Sequence, residues 1–399
     1  MKSNIIEKIT NDVLDLEEQQ TFFLLYEKLE NSKINVKIEE GNIVHIEISN
    51  LQKKKIPHYL FNFKNLKSLN IRSSVISEFP QESNSLVTLE HFSCFGCVLE
   101  CFPNFIFKNP NLKTLLLSEN QIKEVPNLFN NLLNLDRLSL TSNSIEFIPD
   151  STGNLVNLKV LKLGNNKLKY LPDEISNLKL LEILNISENK LERLPKSIGK
   201  LTNLKLFAAQ YNSLQKLPDS FTNLQNLEIC SLYHNQIQTL PENLKNLDAL
   251  VRLRLNNNKL QRIPSSIGSL PNLKSLILDQ NELKELPISV GNSFKLKDLH
   301  LNNNNFSEFP NSILNLKELS SLHIENNNIE TLPRDFWRLT NLVELSICGN
   351  KITHLPESFK GLKKLRSFIC SKKDQKELLE NNEEIFNSLK KEVTISWIT

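Results

Sequence analysis

The sequence predicts an α/β solenoid, a stack of short strands each followed by a turn and a short outer segment. Three periodic series predict it. Fourteen of the sixteen prolines fall 23 residues apart, from Pro57, Pro80 and Pro103 through to Pro356. Leucines keep the same step from Leu66 to Leu365, and asparagines keep it from Asn120 to Asn350. Read without the repeat, 399 residues would divide into two or three globular domains; a fixed period of this length instead marks units that stack on their neighbours.

Each position in the period has a physical role. Leu161 and Leu163 flank one residue, so both point to one side of a strand and fill the interior, while Lys162 faces out. Stacking such strands gives a parallel sheet with neighbours ~4.8 Å apart. The chain turns sharply after each strand and buries polar backbone. An amide side chain answers this because it both donates and accepts. Asn120, Asn143, Asn166, Asn189, Asn212, Asn235, Asn258, Asn281, Asn304, Asn327 and Asn350 are therefore expected to form a structural ladder. The first three repeats place Leu51, Ser74 and Cys97 there, and Leu51 has no side chain able to make those bonds. Pro172 and its equivalents fix φ where the chain swings outward, and Ile175 and Leu178 then pack inward from a short helical or extended segment.

The stretch Leu158-Lys-Val-Leu161-Lys-Leu163-Gly-Asn-Asn166-Lys-Leu168-Lys-Tyr-Leu171-Pro172 has the form LxxLxLxxNxLxxLP, which recurs about fourteen times over residues 43–364. The chain thereby resembles the leucine-rich repeat proteins. The Ser197-Ile198-Gly199 and Ser266-Ile267-Gly268 variants resemble the intracellular Ras-group subtype with its 23-residue unit. The resemblance implies a curved horseshoe, with the parallel sheet on the concave face and short helical or extended segments on the convex face. It also implies engagement of partners such as small GTPases, and leaves the partner of this chain open.

Residues 1–42 lack the repeat and are expected to form a helical N-terminal cap. Asn4-Ile-Ile-Glu7 and Asp15-Leu-Glu-Glu18 have the form of capping boxes; they predict a short helix and a longer one near 16–30, with Phe22, Phe23, Tyr26 and Leu29 at helical spacing. Residues 365–399 should supply a last strand from Leu365, a helix over about 373–390 and a terminal strand around Val393–Ile398, closing the other end.

The net charge of +3 gives no basis for a nucleic-acid or acidic-membrane partner. No run of 18 apolar residues suggests a membrane span. The first twenty residues lack the apolar core of a secretion signal. The six cysteines form no terminal clusters, which favours a reduced, cytoplasmic setting. Phosphate-binding, zinc-protease, nucleophile-elbow and kinase motifs are all missing, so the sequence points to no enzyme, cofactor or metal.

Two clusters merit a test. Cys94-Phe-Gly-Cys97 has zinc-compatible spacing, yet the register places Cys94 at a core position and Cys97 on the ladder, as small hydrophobes. His300 and His323 share one outward column about 5 Å apart, near Asp298 and Glu325. The spacing suits a metal site or a pH-sensitive contact, and equally a pair of solvated surface histidines.

The outward columns of the middle repeats carry Val160, Ile183, Leu206 and Ile229, with Ala208, Tyr211, Tyr233 and His234 beside them and Arg252 and Arg254 at the flank. Apolar and aromatic residues ringed by polar ones are the composition of a partner-binding patch. The sequence thus predicts a non-catalytic scaffold or adaptor whose partner is another protein, and favours a monomer over a homo-oligomer. The alternatives are a self-associating structural protein, whose mark is a stable dimer, and a substrate-recruiting subunit, whose mark is a copurifying enzyme.

Overall fold

The computed structural model describes residues 14–29, 32–80, 86–372, 375–389 and 393–398. The chain divides into two compact units, residues 1–191 and 192–399. Each is a solenoid of short strands stacked 23 residues apart.

In the first unit, helix α1 (Leu16–Lys28) precedes eight strands: β1 (Lys33–Glu39), β2 (Asn42–Ser49), β3 (Ser68–Arg72), β4 (His91–Phe95), β5 (Thr114–Leu116), β6 (Arg137–Ser139), β7 (Val160–Lys162) and β8 (Ile183–Asn185). From β2 onward the strands are parallel, each pairing with the residue 23 positions later, as in His45 with Ser68 and Leu161 with Leu184. Strand β1 runs antiparallel to β2. The two-residue turn between them, Glu40 and Gly41, has positive φ at both positions (48° and 77°), the tight geometry whose twist matches a hairpin.

The N-terminal cap is therefore a helix and an edge strand together. The alternation of Ile34, Val36 and Ile38 with exposed Lys33, Asn35 and Lys37 is a strand period, and the lysines discourage further pairing at the edge. Helix α1 lies where expected, with Phe22, Leu25 and Leu29 buried. The Asp15–Glu18 capping box does not form. Asp15 makes no side-chain cap bond, and the Glu18 carboxylate instead accepts the Ile43 N–H at 2.6 Å. Glu18 is 8% exposed, and its burial raises its pKa despite that bond. The Asn4–Glu7 box lies outside the described residues.

In the second unit nine parallel strands follow: β9 (Leu206–Ala208), β10 (Ile229–Ser231), β11 (Arg252–Arg254), β12 (Ser275–Ile277), β13 (Asp298–His300), β14 (Ser321–His323), β15 (Glu344–Ser346), β16 (Ser367–Ser371) and β17 (Thr394–Ile398). The expected C-terminal helix is two, α2 (Gln375–Asn381) and α3 (Glu383–Leu389). Asn382 breaks it: its Oδ1 accepts the Leu355 N–H at 2.6 Å and its Nδ2 donates to Thr353 O and Leu378 O. This amide does for the last repeat what the ladder does for the others. Trp397 is half-buried against Phe386, with ring centroids 5.9 Å apart, so it closes the core.

The prolines do what their spacing predicts. Pro172 (φ −66°, ψ 150°) and Pro264 (φ −69°, ψ 150°) each start a five-residue 3-10 helix, Asp173–Asn177 and Ser265–Ser269, and the proline carbonyl accepts the N–H three residues on. Ile175 and Ile267 are thereby turned fully inward. The SIG glycines have a packing reason. A Cβ on Gly199 or Gly268 would lie 1.8 Å from the carbonyl oxygen of Ser220 or Ser289 on the next 3-10 helix, so only glycine lets those backbones approach this closely.

The asparagine ladder repeats one geometry. Asn258 Oδ1 accepts the Ile237 N–H at 2.9 Å, and Nδ2 donates to Leu232 O and Leu255 O, both at 3.0 Å. Asn166 and Asn304 repeat this pattern. Ser74 substitutes only in part, its hydroxyl accepting from Leu51 N, 23 residues back and not 21, at 3.0 Å and donating to Arg72 O at 2.9 Å. Cys97 retains only a weak bond to Phe95 O at 3.6 Å. Leu51 makes no such bonds, and antiparallel β1 covers that end instead.

Candidate partner-binding surface

The residue before each ladder position sits at positive φ. Glu119, Ser142, Asn165 and Glu188 in the first unit, and Tyr211, His234, Asn257, Gln280, Asn303 and Asn326 in the second, all have φ between 50° and 57°. Asn tolerates this left-handed conformation and Gly adopts it freely, whereas a bulky ring there is uncommon. At Tyr211 (φ 56°) and His234 (φ 52°) it aims two aromatic rings off the sheet. They stack with centroids 4.4 Å apart and planes at 10°. Tyr233 meets both edge-on, at 5.4 Å from Tyr211 and 5.7 Å from His234.

The register places the expected patch residues of this unit side by side. Leu206, Ile229 and Arg252 are successive partners across β9, β10 and β11, as are Ala208, Ser231 and Arg254. Tyr211 is 47% exposed. Leu206, Ala208, Ile229, Tyr233, His234 and Arg254 are half-buried, and Arg252 is exposed. Two polar groups on this face are buried without a hydrogen-bond partner among the described residues, Arg254 Nε and Gln210 Oε1. Most buried polar atoms in folded proteins are satisfied, so this face has unused hydrogen-bonding capacity. Val160 and Ile183 pair in register within the first unit. Val160 is only 9% exposed, packed between Arg137 and Ile183.

His300 and His323 meet as the register predicts, their rings stacked at 4.4 Å and 21°. Both are half-buried, their side chains being 28% and 15% exposed. Carboxylates ring them: Asp279 lies 3.7 Å from His300 Nδ1, Glu325 4.0 Å from His323 Nδ1, and Glu344 3.8 Å from His323 Nε2. Backbone N–H groups hold the frame, Asn302 donating to Asp279 at 2.7 Å and Glu325 donating to the Asn302 side chain at 2.6 Å. Burial, then the charge of His323, lowers the His300 pKa. Burial pushes Asp279 up to about 6. Cys94 is fully buried, Cys97 is nearly so and Cys101 is exposed; the Cys97 thiol and burial hold Cys94 well above the usual thiol range. Among the described residues no group of three or more His, Cys, Asp or Glu is arranged to hold a metal ion.

This is the architecture of a repeat protein whose short strands present one outward face. A family profile described as a leucine-rich repeat region matches residues 146–254 and 288–391, more than half of the chain, and a second, leucine-rich repeat, matches residues 249–270. The chain belongs to the leucine-rich repeat family. No curated protein matches it. Among solved structures it is similar to a leucine-rich repeat protein of Leptospira interrogans, at 29% identity and a TM-score of 0.73, over 87% of this chain and 95% of that one. It is similar to PEPR1, solved with AtPEP1, at 25% identity and a TM-score of 0.76. That match covers 88% of this chain and 56% of that one. An internalin of Listeria monocytogenes, at 24% identity and a TM-score of 0.65 over 82% of this chain and 86% of that one, shares the fold. The leucine-rich repeat fold is commonly a scaffold for binding other proteins, and such domains are typically non-catalytic. Among the described residues no helix is long and apolar enough to cross a membrane.

Proposed function

We propose that this chain is a non-catalytic interaction scaffold or adaptor, acting as a monomer in the cytoplasm on another protein, and that its outward strand face makes the contact. The 23-residue, SIG-containing repeat supports the Ras-group subtype and, through it, a role in small-GTPase-type signalling. One observation carries the reading of the face. The left-handed turn shared by ten repeats carries aromatic rings at Tyr211 and His234, which stack with centroids 4.4 Å apart, and aromatic side chains held together at a surface are characteristic anchors of protein interfaces. Their stack, with Tyr233, Leu206, Ile229, Arg252 and Arg254, forms a surface rich in the residue types that dominate interface energetics. Val160 and Ile183 extend the proposal to the first unit.

The test is a crosslinking pulldown from native lysate. Its bait is the wild-type chain beside a folded variant with Ile183, Leu206, Tyr211, Tyr233 and His234 changed to serine or alanine. A protein captured by the wild type and lost by the variant is the expected result. Equal capture by both removes the patch, and capture of the chain alone replaces the scaffold with self-association.

A further inference from the structure

A groove lies within the first unit. It encloses about 580 Å³ and crosses the outward face from Arg72 on β3 to Lys162 on β7, a size typical of ligand sites. Its shape has a sequence cause. Ser93, Leu116 and Ser139 are successive register partners, so the small serines on either side leave the Leu116 side chain open. Phe95, 42% exposed, and Val160 complete an apolar floor.

The charges over that floor do not balance. The groove is lined by Arg72, Arg137 and Lys162 against one carboxylate, Glu47. Arg72 is taken up by Glu47 at 2.6 Å. Arg137 and Lys162 are exposed, and neither has an ion pair among those found in the described residues. Arg137 faces Val160 across the β6–β7 pair while Lys162 faces Ser139. The two cations therefore stand diagonally, ~7 Å apart at their bases, with the apolar floor beside them. One carboxylate set between them would reach both. Five strands at ~4.8 Å span roughly 19 Å, the length of about six residues of extended chain.

We propose that this groove binds an extended protein segment carrying an acidic side chain next to a bulky apolar one. The carboxylate bridges Arg137 and Lys162, and the apolar side chain enters between Phe95, Leu116 and Val160. The assignment rests on the protein-binding reading and adds the chemistry and place of a second contact.

The experiment pans a phage-displayed library of 12-residue peptides on the full chain. Recovered peptides are then measured by fluorescence anisotropy on the wild type, on Arg137→Ser/Lys162→Ser and Leu116→Ser, and on Tyr211→Ser/His234→Ser. Unfolding curves establish that each variant is folded. The expected peptides place Asp or Glu beside a large apolar residue. They should lose at least tenfold in affinity on the double cation variant and on Leu116→Ser, and again when the acidic residue becomes its amide. They should bind the Tyr211/His234 variant as they bind the wild type. Peptides without carboxylates, peptides indifferent to Arg137 and Lys162, or no recovered peptide at all overturn the groove. Peptides that depend on Tyr211 and His234 alone overturn it while leaving the protein-binding reading standing.

Discussion

Replacing Asn258 with alanine removes one rung of the ladder, and the bonds around it set the cost. The carbonyls of Leu232 and Leu255 are each shared. Leu232 O also accepts from Asn235 at 2.9 Å, and Leu255 O from Asn281 at 3.0 Å. Truncation therefore leaves each carbonyl one donor. The Ile237 N–H has no such reserve, since it bonds to Asn258 Oδ1 in the buried turn. An orphaned buried donor costs ~1–3 kcal/mol and each of two lost bonds ~0.5–1.5 kcal/mol, giving about 4 kcal/mol. Asn258→Ser should cost nearly as much, because the shorter hydroxyl at Ser74 accepts the N–H 23 residues back and not the one 21 residues back that Asn258 holds. Urea unfolding gives the total, and hydrogen exchange at the Ile237 amide gives the local effect, which matters in an array whose repeats need not unfold together. An alanine cost below ~1 kcal/mol, or a serine variant as stable as wild type, would refute the accounting.

Three further outcomes follow from the geometry. Asp279→Asn should stabilise the chain at pH 7.5 and have no effect near pH 4. The folded pKa is raised from 3.8 to about 6, so the favourable contribution of the protonated group is present below the unfolded value and lost as pH rises through 6. Full linkage gives about 3 kcal/mol, roughly halved for a side chain that is 20% exposed, and a variant less stable than wild type at pH 7.5 in urea unfolding contradicts this. Tyr211→Gly should leave stability within about 1 kcal/mol, relief of the left-handed φ offsetting lost stacking and backbone entropy, while abolishing partner capture; capture at wild-type level would mean the ring is not a contact. Gly268→Ala should lower stability by ~1–3 kcal/mol through the clash with Ser289 O, whereas Gly361→Ala, whose new Cβ would meet Trp337 Cβ at 3.0 Å, should cost less; thermal melts that rank them the other way remove the packing explanation.

What was legible in the sequence is what repeats by residue type. Prolines, leucines and ladder asparagines gave the unit, its register and the inward side of each strand, and hence the stacking of His300 on His323. What was missed repeats by conformation alone. Glu119, Ser142, Asn165 and Tyr211 share a φ near +55° and no chemistry, so the turn that aims Tyr211 left no signal in composition. The groove was missed for a related reason. Phe95 is next to inward Cys94 and so must face out, yet as a lone apolar residue among Ser93, Gly96 and Cys97 it formed no column. Strand β1 did leave a signal, the alternation in Lys33–Glu39, which the expectation of a helical cap overrode. The split at Asn382 needed knowledge of the Leu355 N–H that it caps.

The ladder also determines how the length of this chain can change. Asn258 reaches 21 residues back to Ile237 N–H and 26 residues back to Leu232 O, and Asn281 reaches back by the same two distances to Leu260 and Leu255. Excising any block of 23 residues within a unit brings an identical set of donors and acceptors back into place, whereas a one-residue deletion leaves every later amide out of step with the turn behind it. In genetic terms the locus is quantised: unequal recombination between repeats can lengthen or shorten the array by whole rungs, and selection can trade recognition surface for compactness without designing a new fold.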